Sequence, residues 1–255
     1  MRFITVFITS LLFITGLSTS ILAESKNDID PLVELQAASD YFHNLGIGEL
    51  DSDIKIVFDP SGQYDRDDIE KWNIPKSVYP WIGHYYYRDG GIFSFKVFGE
   101  VIARNDAKTG GMESTIVVPV LPLPGGIMTS ETVLERYSVR YKGEATEDGN
   151  KCNIVRMEAV DPQNEFFSSI EYYIDNKYKV IRKVDFVYDL GIWAGSGEGK
   201  FYYKKKKGEM MPSVGHGTVY FRKPYSKLLT IWGKWSGFEI KSLDDISADP
   251  VKETN

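Results

Sequence analysis

The alternation of apolar and polar positions divides the chain into one helical stretch and a long series of strands. From Ile29 the segment IDPLVELQAASDYFHNLG places Leu32, Leu35, Ala38, Phe42 and Leu45 at helical spacing, with Asp30 as cap, Pro31 in the first turn and Gly46 as stop. After Gly48 the period drops to two: Ile54, Ile56 and Phe58 form the apolar phase before the turn residues Asp59, Pro60, Ser61 and Gly62. Residues 63–80 read as irregular, with a charged piece from Asp65 to Lys71. Beyond Trp81 nearly everything reads as strand: Tyr85 to Arg88 and Ile92 to Val101 around Asp89-Gly90-Gly91, then Ser114 to Val118, Val133 to Tyr141, Cys152 to Val160, Ser168 to Ile174, Lys179 to Tyr188, Gly199 to Lys205, Met211 to Phe221 and Leu228 to Phe238. Clusters such as Glu147-Asp148-Gly149-Asn150 and Asp161-Pro162-Gln163-Asn164 separate them, which predicts an antiparallel meander.

Face assignments decide the shape. In the run Lys179 to Asp189, Val180, Val184, Phe186 and Tyr188 share one phase while Lys179, Lys183, Asp185 and Asp189 share the other; Ser168, Ile170, Tyr172 and Ile174 repeat the pattern. One helix is too small to cover the dry side of about ten strands, so the sheet must curl on itself around side chains or a ligand. The expected fold is mainly β: a strongly curved antiparallel sheet, an open half-barrel, with an N-terminal helix and plugging loops.

The first 23 residues carry one basic residue, Arg2, an apolar stretch from Phe3 to Leu17 and small polar residues up to Ala23, the pattern of a secretory signal peptide. Thr5, Thr9, Ser10, Thr15 and Gly16 dilute that stretch below a membrane anchor. The expected organisation is a signal peptide at 1–23, a single β domain at 24–241 and a polar tail at 242–255, the product being soluble in a periplasm or outside the cell.

Composition narrows the chemistry. The 255 residues are 42% hydrophobic, 14% aromatic and 26% charged, with a formal net charge of −6. A mildly acidic chain lacks the electrostatic attraction that dominates binding to nucleic-acid phosphates. Cys152 is the only cysteine, which excludes an intramolecular disulfide and the multi-thiolate zinc sites. His43, His84 and His216 show no metal-ligand spacing, and no metal or other cofactor is expected. Asp59 to Glu70 places Asp59, Ser61, Asp65, Asp67 and Glu70 at calcium-loop offsets, but Tyr64 stands where the turn glycine is needed, so the segment reads as a solvated acidic loop. Ala194-Gly195-Ser196-Gly197 lacks the first glycine of a nucleophile elbow and reads as a hairpin. No catalytic residue is assigned. Lys204, Lys205, Lys206 and Lys207 form either a charged hairpin tip or a patch for anionic lipid headgroups. The stretch Ile116 to Met128 is apolar yet broken by Pro119, Pro122, Pro124, Gly125 and Gly126, so it should cover the mouth of the sheet or meet a hydrophobic partner.

Several motifs resemble a known family. Tyr137-Ser138-Val139-Arg140-Tyr141-Lys142-Gly143, a strand ending before Asp161-Pro162, the hairpin Ile170-Glu171-Tyr172-Tyr173-Ile174-Asp175 followed by Val180-Ile181-Arg182-Lys183, and Met211-Pro212 after Gly208-Glu209 look like the outer-membrane lipoprotein-sorting superfamily of LolA-like carriers, RseB-type sensors and mycobacterial lipid-binding lipoproteins. The resemblance covers about 133–238. It implies a half-barrel that holds an acyl chain or other hydrophobic cargo against its concave face, and a lipoprotein as a possible partner. Candidate ligand-binding residues are Phe93, Phe95, Val118, Leu121, Leu123, Tyr172, Phe186, Tyr188, Trp193 and Trp232. The expected function is an exported carrier or sensor of a lipid-like ligand with no catalytic step. Two alternatives stay open: a hydrolase-type enzyme on the same scaffold, using carboxylates or His84 and His216, and an envelope-stress sensor that docks another chain.

Overall fold

The computed structural model of the chain describes residues 29–88, 92–97, 100–106, 111–114, 131–165, 167–189, 196–206, 208–220 and 228–243. Helix α1 spans Pro31–Asn44. The Asp30 carboxylate accepts the Leu32 N–H at 2.9 Å, and Gly46 closes the segment at φ +59°, where a side chain would be strained. Leu35 and Ala38 are fully buried, while Leu32, one turn earlier on the same stripe, and Val33 are exposed.

Among the described residues twelve strands follow: β1 (Ile47–Phe58), β2 (Trp81–Arg88), β3 (Ile92–Val97), β4 (Glu100–Asp106), β5 (Gly111–Ser114), β6 (Tyr137–Glu147), β7 (Asn150–Ala159), β8 (Phe167–Asp175), β9 (Ile181–Asp189), β10 (Ser196–Lys206), β11 (Glu209–Tyr220) and β12 (Leu228–Ser242). They form one sheet in the order β5-β4-β3-β2-β1-β12-β11-β10-β9-β8-β7-β6, antiparallel throughout. The sheet is thus two meanders, β1 to β5 and β6 to β12, joined where β1 pairs with β12. Ser242, expected to begin a tail, is the last residue of β12 and stands opposite Ile47.

Two short helices were not expected. Arg66–Lys71 forms α2, and Asp65 and Asp68 close a reciprocal capping box: the Asp68 N–H donates to Asp65 at 2.9 Å and the Asp65 N–H to Asp68 at 3.2 Å. Glu131–Arg136 forms α3, so the run expected to be a strand from Val133 is helical up to Arg136 and extended only from Tyr137.

The sheet is open, with β5 and β6 as its terminal strands, and it is curled. Helix α1 packs on β1 and also on β6, β7 and β8. In a flat sheet β1 and β6 would stand about 34 Å apart at ~4.8 Å per strand, whereas a 14-residue helix is about 21 Å long. One helix meets both because the sheet bends around it. Leu50, Ile54 and Ile56 of β1, Tyr85 of β2, Val155 and Met157 of β7, Ile170 and Tyr172 of β8, Val184 and Phe186 of β9, Phe201 of β10 and Trp235 of β12 all belong to the core on this inner side, together with Leu35 and Ala38 of α1.

The opposite, outer face carries a second, smaller core. Segment 59–80 folds back over β10, β11 and β12 so that Ile69 of α2 meets Val57, Val214 and Trp232, flanked by Tyr64, Trp72, Ile74, Val78 and Tyr202. Asp59 starts this return: it is fully buried, and its carboxylate accepts the N–H groups of Gln63 and Tyr64, each at 2.9 Å. The expected solvated acidic loop is therefore corrected at its first residue, whose oxygens are spent on the backbone.

Candidate functional site

On strands β9 and β10 the inner face is built from rings laid against glycines. Phe186 stands opposite Gly199 in register and Tyr188 opposite Gly197. A Cβ on Gly199 would lie 2.2 Å from Phe186 Cζ, and one on Gly197 would lie 2.5 Å from the Tyr188 hydroxyl. On β11, a Cβ at Gly215 would come within 2.7 Å of Phe201 and 2.8 Å of Trp235. With no side chain in the way the rings lie low on the sheet and meet one another. Phe186 and Phe201 stack at 5.2 Å and 19°, Phe201 meets Trp235 edge-on at 5.6 Å, and Phe167 meets Phe186 edge-on at 5.4 Å.

This row borders a cavity of about 10 Å³ lined by Phe167, Ile170, Tyr172, Val184, Phe186, Phe201 and Tyr203. That is near the room one water needs. Side chains thus fill this part of the inner face almost completely. The polar atoms within it are few. The Tyr188 hydroxyl donates to the Thr218 carbonyl at 3.0 Å. The Tyr203 hydroxyl, the Trp235 indole N–H and the Ser52 hydroxyl are buried with no hydrogen-bond partner among the described residues. Burial raises the Tyr172 and Tyr188 phenols far above their ordinary range, and it does the same to Tyr203, helped by the neighbouring Tyr172 and Tyr85. None of the three ionises in the folded protein at physiological pH.

Of the residues named from sequence, Tyr172 and Phe186 line the cavity and Tyr188 lies beside Phe186 at 6.2 Å. Trp232 is not with them. It packs on the outer face in the second core, with the His216 ring 4.3 Å away. Phe93 and Phe95 lie on β3 opposite Tyr87 and Tyr85, their side chains outside the described residues; Val118, Leu121, Leu123 and Trp193 also lie outside them. Sequence reasoning missed Phe167, Ile170, Val184, Phe201 and Tyr203 as lining residues. The signal for β10 was present: Gly197, Gly199, Phe201 and Tyr203 share one phase, small residues giving way to large ones.

His84 and His216 both stand on the outer face. His84 of β2 is opposite Asp53 in register, with Nε2 at 2.8 Å from Asp51 and Nδ1 at 3.5 Å from Asp53. His216 stands between Lys200 and Trp232 in register. Neither reaches the cavity, which removes the reading in which they work there with a carboxylate. Among the described residues no three His, Cys, Asp or Glu side chains are grouped to hold a metal ion.

The outer core is pinned by one arginine. Arg66 of α2 donates from Nε to Glu70 at 2.9 Å, from Nη1 to Glu147 at 2.7 Å and from Nη2 to Asp148 at 2.7 Å, and its guanidinium lies 4.0 Å from the Tyr202 ring centre. Glu70 also takes Lys204. Lys204 is thereby committed to an ion pair, Lys205 and Lys206 are exposed, and Lys207 lies outside the described residues.

An open, curled antiparallel sheet with an aromatic inner face and a helix across it is the class of protein that fold and site define. No family model and no curated protein matches the sequence. Solved structures similar to it include a DUF1329 family protein from Desulfovibrio piger (12% identity, 83% of this chain and 94% of that one, TM-score 0.45). They include a LolA superfamily protein from Nitrosomonas europaea (8%, 87% and 98%, TM-score 0.42) and the Mycobacterium tuberculosis lipoprotein LppX (8%, 83% and 96%, TM-score 0.24). Among the described residues no helix is long and apolar enough to cross a membrane.

Proposed function

We propose that this protein is an exported carrier or sensor that binds a lipid-like ligand on the inner face of its curled sheet, with no catalytic step. The observation that carries the reading is the cavity between β8, β9 and β10, whose seven lining side chains include five aromatics. A cavity of about 10 Å³ does not hold an acyl chain, so binding requires the rings to swing off the sheet and the ligand to take their place. Each methylene transferred from water contributes about 0.8 kcal/mol, which is the driving force available for that exchange. The N-terminal segment, read as a signal peptide, supports export to a periplasm or outside the cell, and the exposed Lys205 and Lys206 are side chains available to an anionic membrane surface.

Mass spectrometry of solvent extracts from the natively purified protein, together with displacement of a fluorescent fatty-acid probe, tests this. Co-purified lipid and probe displacement are the expected result; neither lipid nor probe binding overturns the reading.

The docking reading has one observation in its favour: β6 is a terminal strand of 11 residues. Its outward residues Arg140 and Lys142 pair with Glu158 and Glu171, which blunts that edge against strand addition.

A further inference from the structure

Tyr203 is 1% exposed, lines the cavity, and has a hydroxyl without a hydrogen-bond partner among the described residues. A buried hydroxyl in that condition costs roughly 1–3 kcal/mol relative to one that is bonded. A phenylalanine would fill the same space with no such cost. Everything else lining the cavity is apolar or, in Tyr172, another phenol. The side chains acting on the Tyr203 hydroxyl are Tyr172 and Tyr85, and neither is a cation. An ionised carboxylate brought to this point would be buried without a counter-charge, which is prohibitive. A neutral carbonyl would accept the hydroxyl proton at no such penalty, while its aliphatic chain replaced the rings along Phe186 and Phe201.

We infer that the Tyr203 hydroxyl is the polar anchor of the inner face and that it selects a ligand whose aliphatic chain ends in a neutral carbonyl, an ester or an amide, over a free fatty acid or a plain hydrocarbon. The inference rests on the proposed lipid-binding role and names the chemistry that role would recognise. Ester and amide acyl groups belong to glycerolipids and to N-acylated chain ends respectively, and they share the acceptor that the hydroxyl needs.

The test is competition for a polarity-sensitive fluorescent probe by four twelve-carbon compounds at pH 8: 1-monolauroylglycerol, lauramide, laurate and dodecane, against wild type and Tyr203→Phe. The expected result is that the ester, the amide or both outcompete laurate and dodecane on wild type and weaken about tenfold on Tyr203→Phe, about 1.4 kcal/mol, while dodecane is unchanged. Success of the ester alone points to a glycerolipid, and of the amide alone to an N-acylated chain end. Tyr203→Phe should melt at or above the wild-type temperature, since it removes an unsatisfied buried hydroxyl. Equal competition by dodecane on wild type overturns the inference without needing the variant, as does laurate binding more tightly than the ester and the amide, or an unchanged affinity on Tyr203→Phe; in those cases the lipid-binding role stands. Failure of every compound and of the probe overturns that role as well.

Discussion

The Phe186 ring lies over Gly199, its register partner on the next strand, in the space where any other residue would carry a Cβ. Ring and glycine therefore act as one unit of packing. Gly199→Ala should destabilise the fold by about 1–3 kcal/mol by forcing the ring off its seat. Phe186→Leu should cost less in the Gly199→Ala background than in wild type. Urea unfolding of the two single variants and the double variant measures that coupling, and strict additivity would count against the arrangement.

Arg66 joins α2 to the β6–β7 turn through Glu147 and Asp148 and lies against Tyr202. Arg66→Ala should lower stability by about 2 kcal/mol and open residues 59–80 to limited proteolysis. Arg66→Lys should recover less than half of the loss, because a single ammonium cannot reproduce three donors in a planar fork and a ring contact.

His216 gives the fold an acid-sensitive slope. Burial, then the charge of Lys200, hold its imidazole below 6.5, opposed by Glu198 and Asp59. As pH falls through 6.5 the unfolded chain takes up a proton that the native state still refuses. Stability therefore falls with pH from that point and levels off once the native imidazole is protonated as well. His216→Gln should flatten the dependence of melting temperature on pH between 7.5 and 5, and an unchanged slope would assign it to other groups.

Asp175 and Arg182 clasp the β8–β9 hairpin. One carboxylate oxygen accepts the N–H groups of Lys177 and Tyr178, each at 2.9 Å, and the other takes Arg182 Nε at 3.0 Å and Nη2 at 2.8 Å. Burial alone would raise this carboxyl, but the Tyr178 N–H, the Arg182 guanidinium and the Lys177 N–H outweigh it and hold it below 3.8. Its stabilisation is complete above 3.8 and is lost as pH falls from there toward the native value. Asp175→Asn should cost about 3 kcal/mol at neutral pH and reduce the loss of stability on acidification, both measurable by urea titration at several pH values.

Cys152 is fully buried, and burial, with Asp175 nearby, pushes its thiol up to about 11. A thiol reagent added to native protein at pH 8 should react far more slowly than with the urea-unfolded chain. Immediate stoichiometric labelling of the native state would contradict this placement.

The clasp shows what was legible from sequence. Ile174-Asp175 and Ile181-Arg182, quoted for a family resemblance, are the two halves of a hydrogen-bonded hairpin, and period two put Tyr172, Phe186 and Tyr188 on one face. Trp232 shows what was not. Trp232 and Trp235 both sit in apolar surroundings on opposite sides of β12, because segment 59–80 gives the outer face a core of its own. Parity tells which residues share a face, and where both faces are dry it cannot say which one is inner. Helix α2 escaped for a related reason: its one buried residue is Ile69, so it has a capping box but no apolar stripe to betray it. In β10 the glycines mattered as much as the rings, since Gly197 and Gly199 make the room that Phe186 and Tyr188 fill.

The pairing of β1 with β12 has a kinetic consequence. The first strand of the sheet finds one of its two neighbours only in the last, with Ile47 opposite Ser242, so each meander can form early while the seam between them waits for the whole chain. A chain of this topology keeps the facing edges of β1 and β12 unpaired until synthesis ends, which exposes them to aggregation in the interval.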